Sequence, residues 1–173
     1  LRVLGEMGYD HVVVNTAYRS DAMKQIVAHA PPEIPTILLS VEENRLGTAG
    51  GVAKASSFFQ EDESILILNG DVVSGMDLRQ LVEAHGRSNA WATLAVFRNS
   101  AFPDALHKVA YDEEGRVVSV ADVCTESSHV NPQVGRAIYT GTMIMSPEFI
   151  RSLPTDREAC LKEDGFWPGL REG

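Results

Sequence analysis

The sequence predicts an α/β fold: a mostly parallel sheet with helices on both faces and a β-hairpin inserted late in the chain. Three observations carry this. Short apolar, β-branched runs at residues 11–15, 36–41, 65–68 and 92–97 alternate with helix-length amphipathic segments, in units of roughly 30 residues, the rhythm of strand–helix–strand crossovers. The runs are too short for helices and too continuously apolar for strands wetted on one face, so they read as strands covered on both. Beyond residue 97 the rhythm changes: residues 108–112 and 116–120 flank Glu113-Glu114-Gly115, an acidic turn whose glycine suits positive φ and closes a hairpin.

Taken in order, the opening residues carry a helical pattern that Gly8 is placed to close. Neither an initiator Met nor a capping residue precedes that pattern, so the numbering is expected to begin inside a helix of a longer protein. Ser20 or Asp21 caps the next helix, which sets Met23, Ile26 and Val27 on one face and stops before Pro31-Pro32. After the second strand comes Glu42-Glu43-Asn44-Arg45-Leu46-Gly47-Thr48-Ala49-Gly50-Gly51, a glycine-rich loop with Thr48 placed to cap a helix running from Ala49 towards Phe59. The third strand stops at Asn69-Gly70-Asp71. Residues 77–85 form an amphipathic helix closed by Gly86. Residues 125–135 are polar and contain Pro132, a loop pattern. Residues 137–145 return to the sheet, with Gly141 marking a bulge or a close ligand approach, and Pro147 opens a helix where its missing amide hydrogen costs little.

A chain of 173 residues, 44% of them apolar, suits a single domain with a sizeable core, since one of this size buries about 70% of its unfolded surface. The net charge of −9 speaks against a general nucleic-acid binder, and it means that any phosphate the protein handles needs local basic groups or a metal ion to offset repulsion. Cys124 and Cys160 lie far apart without metal-ligand spacing and read as thiols in a reducing compartment. No apolar run approaches the ~20 residues that cross a bilayer and no signal peptide opens the chain, so the expected location is cytoplasmic and no membrane partner is expected.

Chemistry concentrates in two stretches, the glycine loop and the strand-end Asp71. In an open α/β sheet ligands collect at the carboxyl ends of strands, so both are expected to face one crevice. Small residues let a ligand lie against backbone amides, and a carboxylate can hold a cation. Read alone, Gly-Thr-Ala-Gly is an ordinary strand-to-helix turn and Asp71 an ordinary turn residue.

Together, Leu46-Gly47-Thr48-Ala49-Gly50, Asn69-Gly70-Asp71, Asp112-Glu113-Glu114-Gly115-Arg116-Val117 and Tyr139-Thr140-Gly141-Thr142-Met143-Ile144-Met145-Ser146-Pro147-Glu148 resemble, in order and spacing over nearly the whole chain, the sugar-1-phosphate nucleotidylyltransferases. The resemblance implies a Rossmann-like three-layer sandwich, and an enzyme that joins a nucleoside triphosphate to a sugar 1-phosphate, giving a nucleotide sugar and pyrophosphate. It implies that Glu42, Leu46, Gly47, Thr48, Ala49, Asn69 and Gly70 contact the nucleotide, that Asp71 binds the catalytic magnesium, and that Asp122, Thr140 and Gly141 lie against the sugar. Either Glu42 or Glu43 is placed to accept a hydrogen bond from a base amino or imino group. Where the family often has Glu-Lys-Pro this chain has Asp122-Val123-Cys124, and His107 replaces a glycine before the hairpin. His85, His107 and His129 otherwise read as surface histidines.

The resemblance places the family's leading strand and phosphate-binding loop before Leu1 and its second magnesium-binding aspartate beyond Gly173. One incomplete nucleotidyltransferase domain spanning 1–173, with little or no activity of its own, is therefore expected. A homo-oligomer is possible, and the acidic balance speaks against a nucleic-acid partner. Two rivals are a non-catalytic nucleotide-sugar-binding or regulatory homologue and a GT-A-type glycosyltransferase. The second usually needs Asp-x-Asp, and Asp71-Val72-Val73 lacks the second acid. A nicotinamide dehydrogenase would need Gly-x-Gly-x-x-Gly after a first strand, and that spacing is absent.

Overall fold

Each stretch marked above as strand or helix takes that form in the computed structural model, which describes residues 1–99, 101–106, 108–121, 123–124 and 135–172. In chain order the elements are α1 (Arg2–Glu6), β1 (His11–Thr16), α2 (Ser20–Ala28), β2 (Thr36–Val41), α3 (Gly47–Ala55), β3 (Ile65–Leu68), α4 (Leu78–Arg87), β4 (Ala92–Phe97), β5 (Val109–Tyr111), β6 (Val117–Val120), β7 (Val123–Cys124), β8 (Gly135–Met145), α5 (Pro147–Ser152) and α6 (Trp167–Glu172). A π-helical turn, Leu161–Phe166, leads into α6. The polar loop expected at residues 125–135 lies, but for Gly135, outside the described residues.

Two compact units result: Leu1–Glu61 with Leu153–Cys160, and Asp62–Ser152 with Leu161–Gly173. In the first, β1 and β2 pair in parallel from His11 opposite Thr36 to Thr16 opposite Val41, and α3 packs on both strands. Gly8 sits at φ 90°, closing the entry to β1 as expected. Helix α2 starts behind Arg19, which takes a left-handed conformation, so Ser20 and Asp21 lie inside the first turn instead of capping it. On the face expected to be apolar, Met23 and Val27 are half-buried while Ile26 is 64% exposed. Helix α3 begins at Gly47, behind Leu46, so Thr48 lies in its first turn and is not its N-cap residue.

In the second unit the strands are antiparallel throughout. β8 pairs with β3 (Ile67 opposite Met143) and with β4 (Leu94 opposite Met143), so it lies between them. The expected β3–α4–β4 unit does form, with α4 packing Leu81 against Ala95 of β4 and Ile144 of β8. The expectation of a mostly parallel sheet does not hold among the described residues: parallel pairing is confined to β1 and β2. The physical reason is that β3 and β4 point the same way but β8 is inserted between them in the opposite sense. Nor is β3 fully buried, since Ile65 is covered while Leu68 at its end is 40% exposed.

The hairpin of β5 and β6 forms as expected, with Gly115 at φ 81° in its turn. Asp112 accepts hydrogen bonds from both the amide and the guanidinium of Arg116, 2.8 Å each, which holds its carboxyl below the usual carboxylate range. Helix α4 is capped by Asp77, whose carboxylate accepts the Arg79 amide at 3.0 Å. It runs through Gly86 to Arg87, so that glycine does not close it. His85 is buried, contrary to its reading as a surface residue, because α4 turns it onto the sheet. Its Nδ1 meets the Thr93 hydroxyl at 2.8 Å and its Nε2 the Ser64 hydroxyl at 3.3 Å, and burial lowers its pKa. His107 and His129 lie outside the described residues.

Candidate functional site

The two motifs fall in different units, and each is built within its own. In the first unit the loop between β2 and α3 is held from two directions. On one side Glu42, 5% exposed, uses both carboxylate oxygens: Oε1 accepts from Asn15 Nδ2 at 2.5 Å and Oε2 accepts the Leu46 amide at 2.8 Å. Its own amide donates to the Thr16 carbonyl at 2.9 Å, continuing the β1–β2 ladder. On the other side the returning segment Leu153–Cys160 lays Ala159 along the loop, with Ala159 N–H to Leu46 C=O at 2.8 Å and Ala49 N–H to Ala159 C=O at 2.9 Å.

The glycines follow from these two contacts. Gly47 is at φ 72°, and a Cβ there would run into the carbonyl oxygen of Ala159. A Cβ on Gly51 would meet Asn15 Nδ2 and, at 2.8 Å, Glu42 Oε1. Two of the loop residues expected to touch a ligand are therefore turned into the unit. Glu42 is covered with both oxygens in use, and Ala49 is fully buried with its amide bonded. Leu46 and Gly47 are half-buried, while Glu43 and Thr48 are exposed.

In the second unit Asn69-Gly70-Asp71 leaves the carboxyl end of β3 as a tight corner. The Asn69 amide donates to Gly141 C=O at 2.8 Å. Gly141 is at φ 78°, and its bare Cα is where the Asn69 side chain rests: an added Cβ would lie 2.8 Å from Nδ2 and 3.0 Å from Cβ and Cγ. The close approach at Gly141 is thus made by the Asn69 side chain rather than by the ligand expected there. Beside it the β4–β8 register shifts between Leu94 and Val96, and the Thr140 hydroxyl donates to Ala95 C=O at 2.8 Å across the irregularity. Thr140 therefore pins the corner's support. Asn69, Gly70 and Asp71 are all exposed. Asp122 lies outside the described residues.

Among the described residues no group of three or more His, Cys, Asp or Glu side chains is gathered to hold a metal ion. Magnesium does not require one: it keeps several waters and takes one or two carboxylates together with phosphate oxygens. An exposed carboxylate at a strand's carboxyl end fits that donor set. A separate cleft of about 480 Å³ opens at the other end of the same sheet, beside Ser64, His85, Trp91 and Glu148. Its histidine is already bonded at both ring nitrogens, and it lies at the amino ends of β3 and β4, away from Asp71.

Sequence reasoning misses the returning segment around Ala159, because its two backbone hydrogen bonds carry no side-chain signature. Asn15 shows in the sequence only as the polar end of a strand. Its pairing with Glu42 spans 27 positions, and no local pattern announces it.

The fold and the two motifs define an α/β domain with polar, glycine-bared features at strand ends. The chain belongs to the Nucleotidyl transferase family, whose model matches residues 1–121. It is 30% identical over 96% of its length to a mannose-1-phosphate guanylyltransferase of Mycobacterium tuberculosis, and 26% identical over 96% to a UTP–glucose-1-phosphate uridylyltransferase of Synechocystis. It spans 44% and 45% of those two proteins, about half their length. Among solved structures, HddC from Yersinia pseudotuberculosis superposes with a TM-score of 0.71 at 18% identity, covering 96% of this chain and 68% of that one. A UDP-glucose pyrophosphorylase complexed with UDP-glucose superposes at 0.61 with 12% identity, covering 99% and 74%. These likenesses establish the fold. No helix among the described residues is long and apolar enough to cross a membrane.

Proposed function

We propose that this chain belongs to an enzyme that joins a nucleoside triphosphate to a sugar 1-phosphate, releasing pyrophosphate and forming a nucleotide sugar. The observation that carries the reading is the family match together with 30% identity across 96% of the chain to a protein named mannose-1-phosphate guanylyltransferase. The structure of HddC with GMP-PN supports a nucleotide as the ligand class.

In the reaction a phosphate oxygen of the sugar 1-phosphate forms a bond to the α-phosphorus of the triphosphate. The bond from that phosphorus to the bridging oxygen breaks, and pyrophosphate leaves with the electron pair. Both reactants are anions, and the chain itself carries −9. Asp71 is the residue that would hold a magnesium ion, which when bound screens charge and aligns phosphates. The chain's own groups have narrower tasks. Leu46, Gly47 and Thr48 give the base edge a fixed backbone surface, with Gly47 held at its left-handed φ against Ala159. Asn69 and Gly70 set the direction of Asp71, and Thr140 and Gly141 hold that corner beside the sugar phosphate. A cytoplasmic setting follows from such metabolite substrates.

The test takes the full-length protein and a panel of nucleoside triphosphates and sugar 1-phosphates, with pyrophosphate release as readout. Asp71→Asn should cost about a hundredfold in rate, roughly 3 kcal/mol of transition-state stabilisation. A rate unchanged at limiting magnesium would remove Asp71 from the metal site. Nucleotide binding without turnover by any pair would favour the non-catalytic homologue.

A further inference from the structure

We infer that the returning segment, residues 157–159, is a clasp on the nucleotide loop: it holds the Leu46–Gly47 peptide in one orientation, so that the Gly47 N–H faces outward as a fixed donor and favours bases that carry a carbonyl acceptor. The inference rests on the nucleotidyl-transfer reading and deepens it, adding a positioning segment from far along the chain. It starts from one hydrogen bond, donated by Ala159 N–H to Leu46 C=O at 2.8 Å. In a trans peptide the carbonyl and the N–H that follows it point opposite ways, so the Gly47 N–H is turned away from Ala159. Gly47 is half-buried, and its N–H makes no hydrogen bond among the described residues.

Nothing local fixes that orientation. Leu46 has φ −97° and ψ −5°, and Gly47 has φ 72°. Turning over the peptide between them changes only the Leu46 ψ and the Gly47 φ, and glycine takes either sign of φ about equally. The loop sequence by itself therefore leaves both orientations open, and the clasp closes one of them. Ala159 C=O accepts the Ala49 N–H at 2.9 Å, so both backbone groups of this residue are engaged by the loop. Two glycines one turn apart show that the slot is shaped for this backbone. A Cβ on Gly47 would run into the Ala159 carbonyl oxygen, and one on Gly50 would lie 2.9 Å from Leu46 Cβ and 3.3 Å from the Arg157 carbonyl oxygen. Ala159 itself is buried. Arg45 and Glu158 add an exposed ion pair at 3.6 Å, of little energetic weight.

A donor held in place reads one chemical feature. Guanine carries the O6 acceptor and thymine or uracil the O4 acceptor, where adenine and cytosine present an amino donor. A peptide turned over would offer the Leu46 carbonyl instead and reverse that preference. Holding the donor before binding also removes the cost of ordering it on binding.

The test uses the full-length protein with Ala159→Pro, which deletes the donating N–H. The probes are two pairs: GTP with 2-aminopurine riboside triphosphate, which lacks the O6 atom, and UTP with its 4-deoxy analogue. Binding gives dissociation constants, and pyrophosphate release gives KM and kcat. Wild type should favour the carbonyl-bearing member of at least one pair by about tenfold. Ala159→Pro should weaken that member about tenfold and its analogue less than about threefold, with kcat at saturation moved less than KM and faster hydrogen exchange at the Ala49 amide.

A wild type that binds neither pair, or both members of each pair alike, overturns the donor role. Equal weakening of both members in Ala159→Pro reduces the segment to structural support and overturns the inference. Should that variant fail to fold, exchange in wild type decides. The Ala49 and Ala159 amides must be protected before nucleotide is added, and protection that arises only with nucleotide shows that the ligand sets the peptide. Pyrophosphate release absent from wild type counts against the enzymatic reading alone, because binding and exchange are measured without turnover.

Discussion

Replacing Gly47 with alanine tests the loop geometry most directly, because two separate costs fall on one methyl group. The residue sits at φ 72°, where an alanine pays about 1–2 kcal/mol relative to right-handed conformations. The new Cβ would also run into the Ala159 carbonyl oxygen and lie 3.1 Å from its carbonyl carbon. Those atoms are backbone and cannot rotate away. Relief requires moving the returning segment, which breaks the pair Ala159 N–H to Leu46 C=O and Ala49 N–H to Ala159 C=O, each worth about 1 kcal/mol net. The expected loss is therefore about 3–4 kcal/mol. Urea unfolding of the full-length protein, analysed with a common slope, measures it. Gly70→Ala is the control, since nothing lies within 4 Å of a Cβ placed there and its φ is not in the left-handed region; a change within about 0.5 kcal/mol is expected for such a surface site. A Gly47→Ala protein within about 0.5 kcal/mol of wild type would show that the Ala159 pairing does not constrain the loop.

Asp77→Ala should destabilise α4 by about 1 kcal/mol through loss of the bond to the Arg79 amide, with Asp77→Ser retaining most of it. A Ser variant as weak as Ala in urea unfolding would refute capping. Tyr139, whose pKa burial pushes up to about 12, has a buried hydroxyl with no partner among the described residues. Tyr139→Phe should therefore leave stability unchanged or raise it by up to ~1 kcal/mol, and a clear loss in the same assay would reveal a bonded hydroxyl. His85 has its pKa lowered by burial, so the unfolded chain takes up the proton first. The contribution of His85 is fully present above the ordinary value of about 6.5 and is lost as pH falls through that value towards the folded one. The unfolding midpoint should drop between pH 7.5 and 5.5 more steeply in wild type than in His85→Gln, and equal slopes would contradict the assignment.

What can be read without coordinates is local. The six residues of β2, the Gly8 closure, the Gly115 hairpin, the Asp77 helix and Pro147 at the head of α5 each depend on neighbours within a few positions, so the residues themselves carry the signal. The exceptions are instructive. Thr48 and Gly86 resemble helix ends because threonine and glycine are common there, but Leu46 and Ser88 take those places, since a cap preference of about 1 kcal/mol is small beside the packing of a whole helix.

The amino-acid order alone determined that this is an α/β chain and where most of its strands and helices lie, because apolar periodicity and turn chemistry are written within a dozen residues; the family was legible in the order and spacing of its motifs. Only tertiary structure decided that β8 enters antiparallel between β3 and β4. A buried apolar run looks the same whichever way its neighbour points, and the partner of β3 lies more than 70 residues away. Tertiary structure likewise turned Glu42 inward onto Asn15 and brought Ala159 back to Leu46. Hydrogen-bond partners are chosen by what the completed fold places within 3 Å, and that choice made a glycine-rich phrase into a clamped loop.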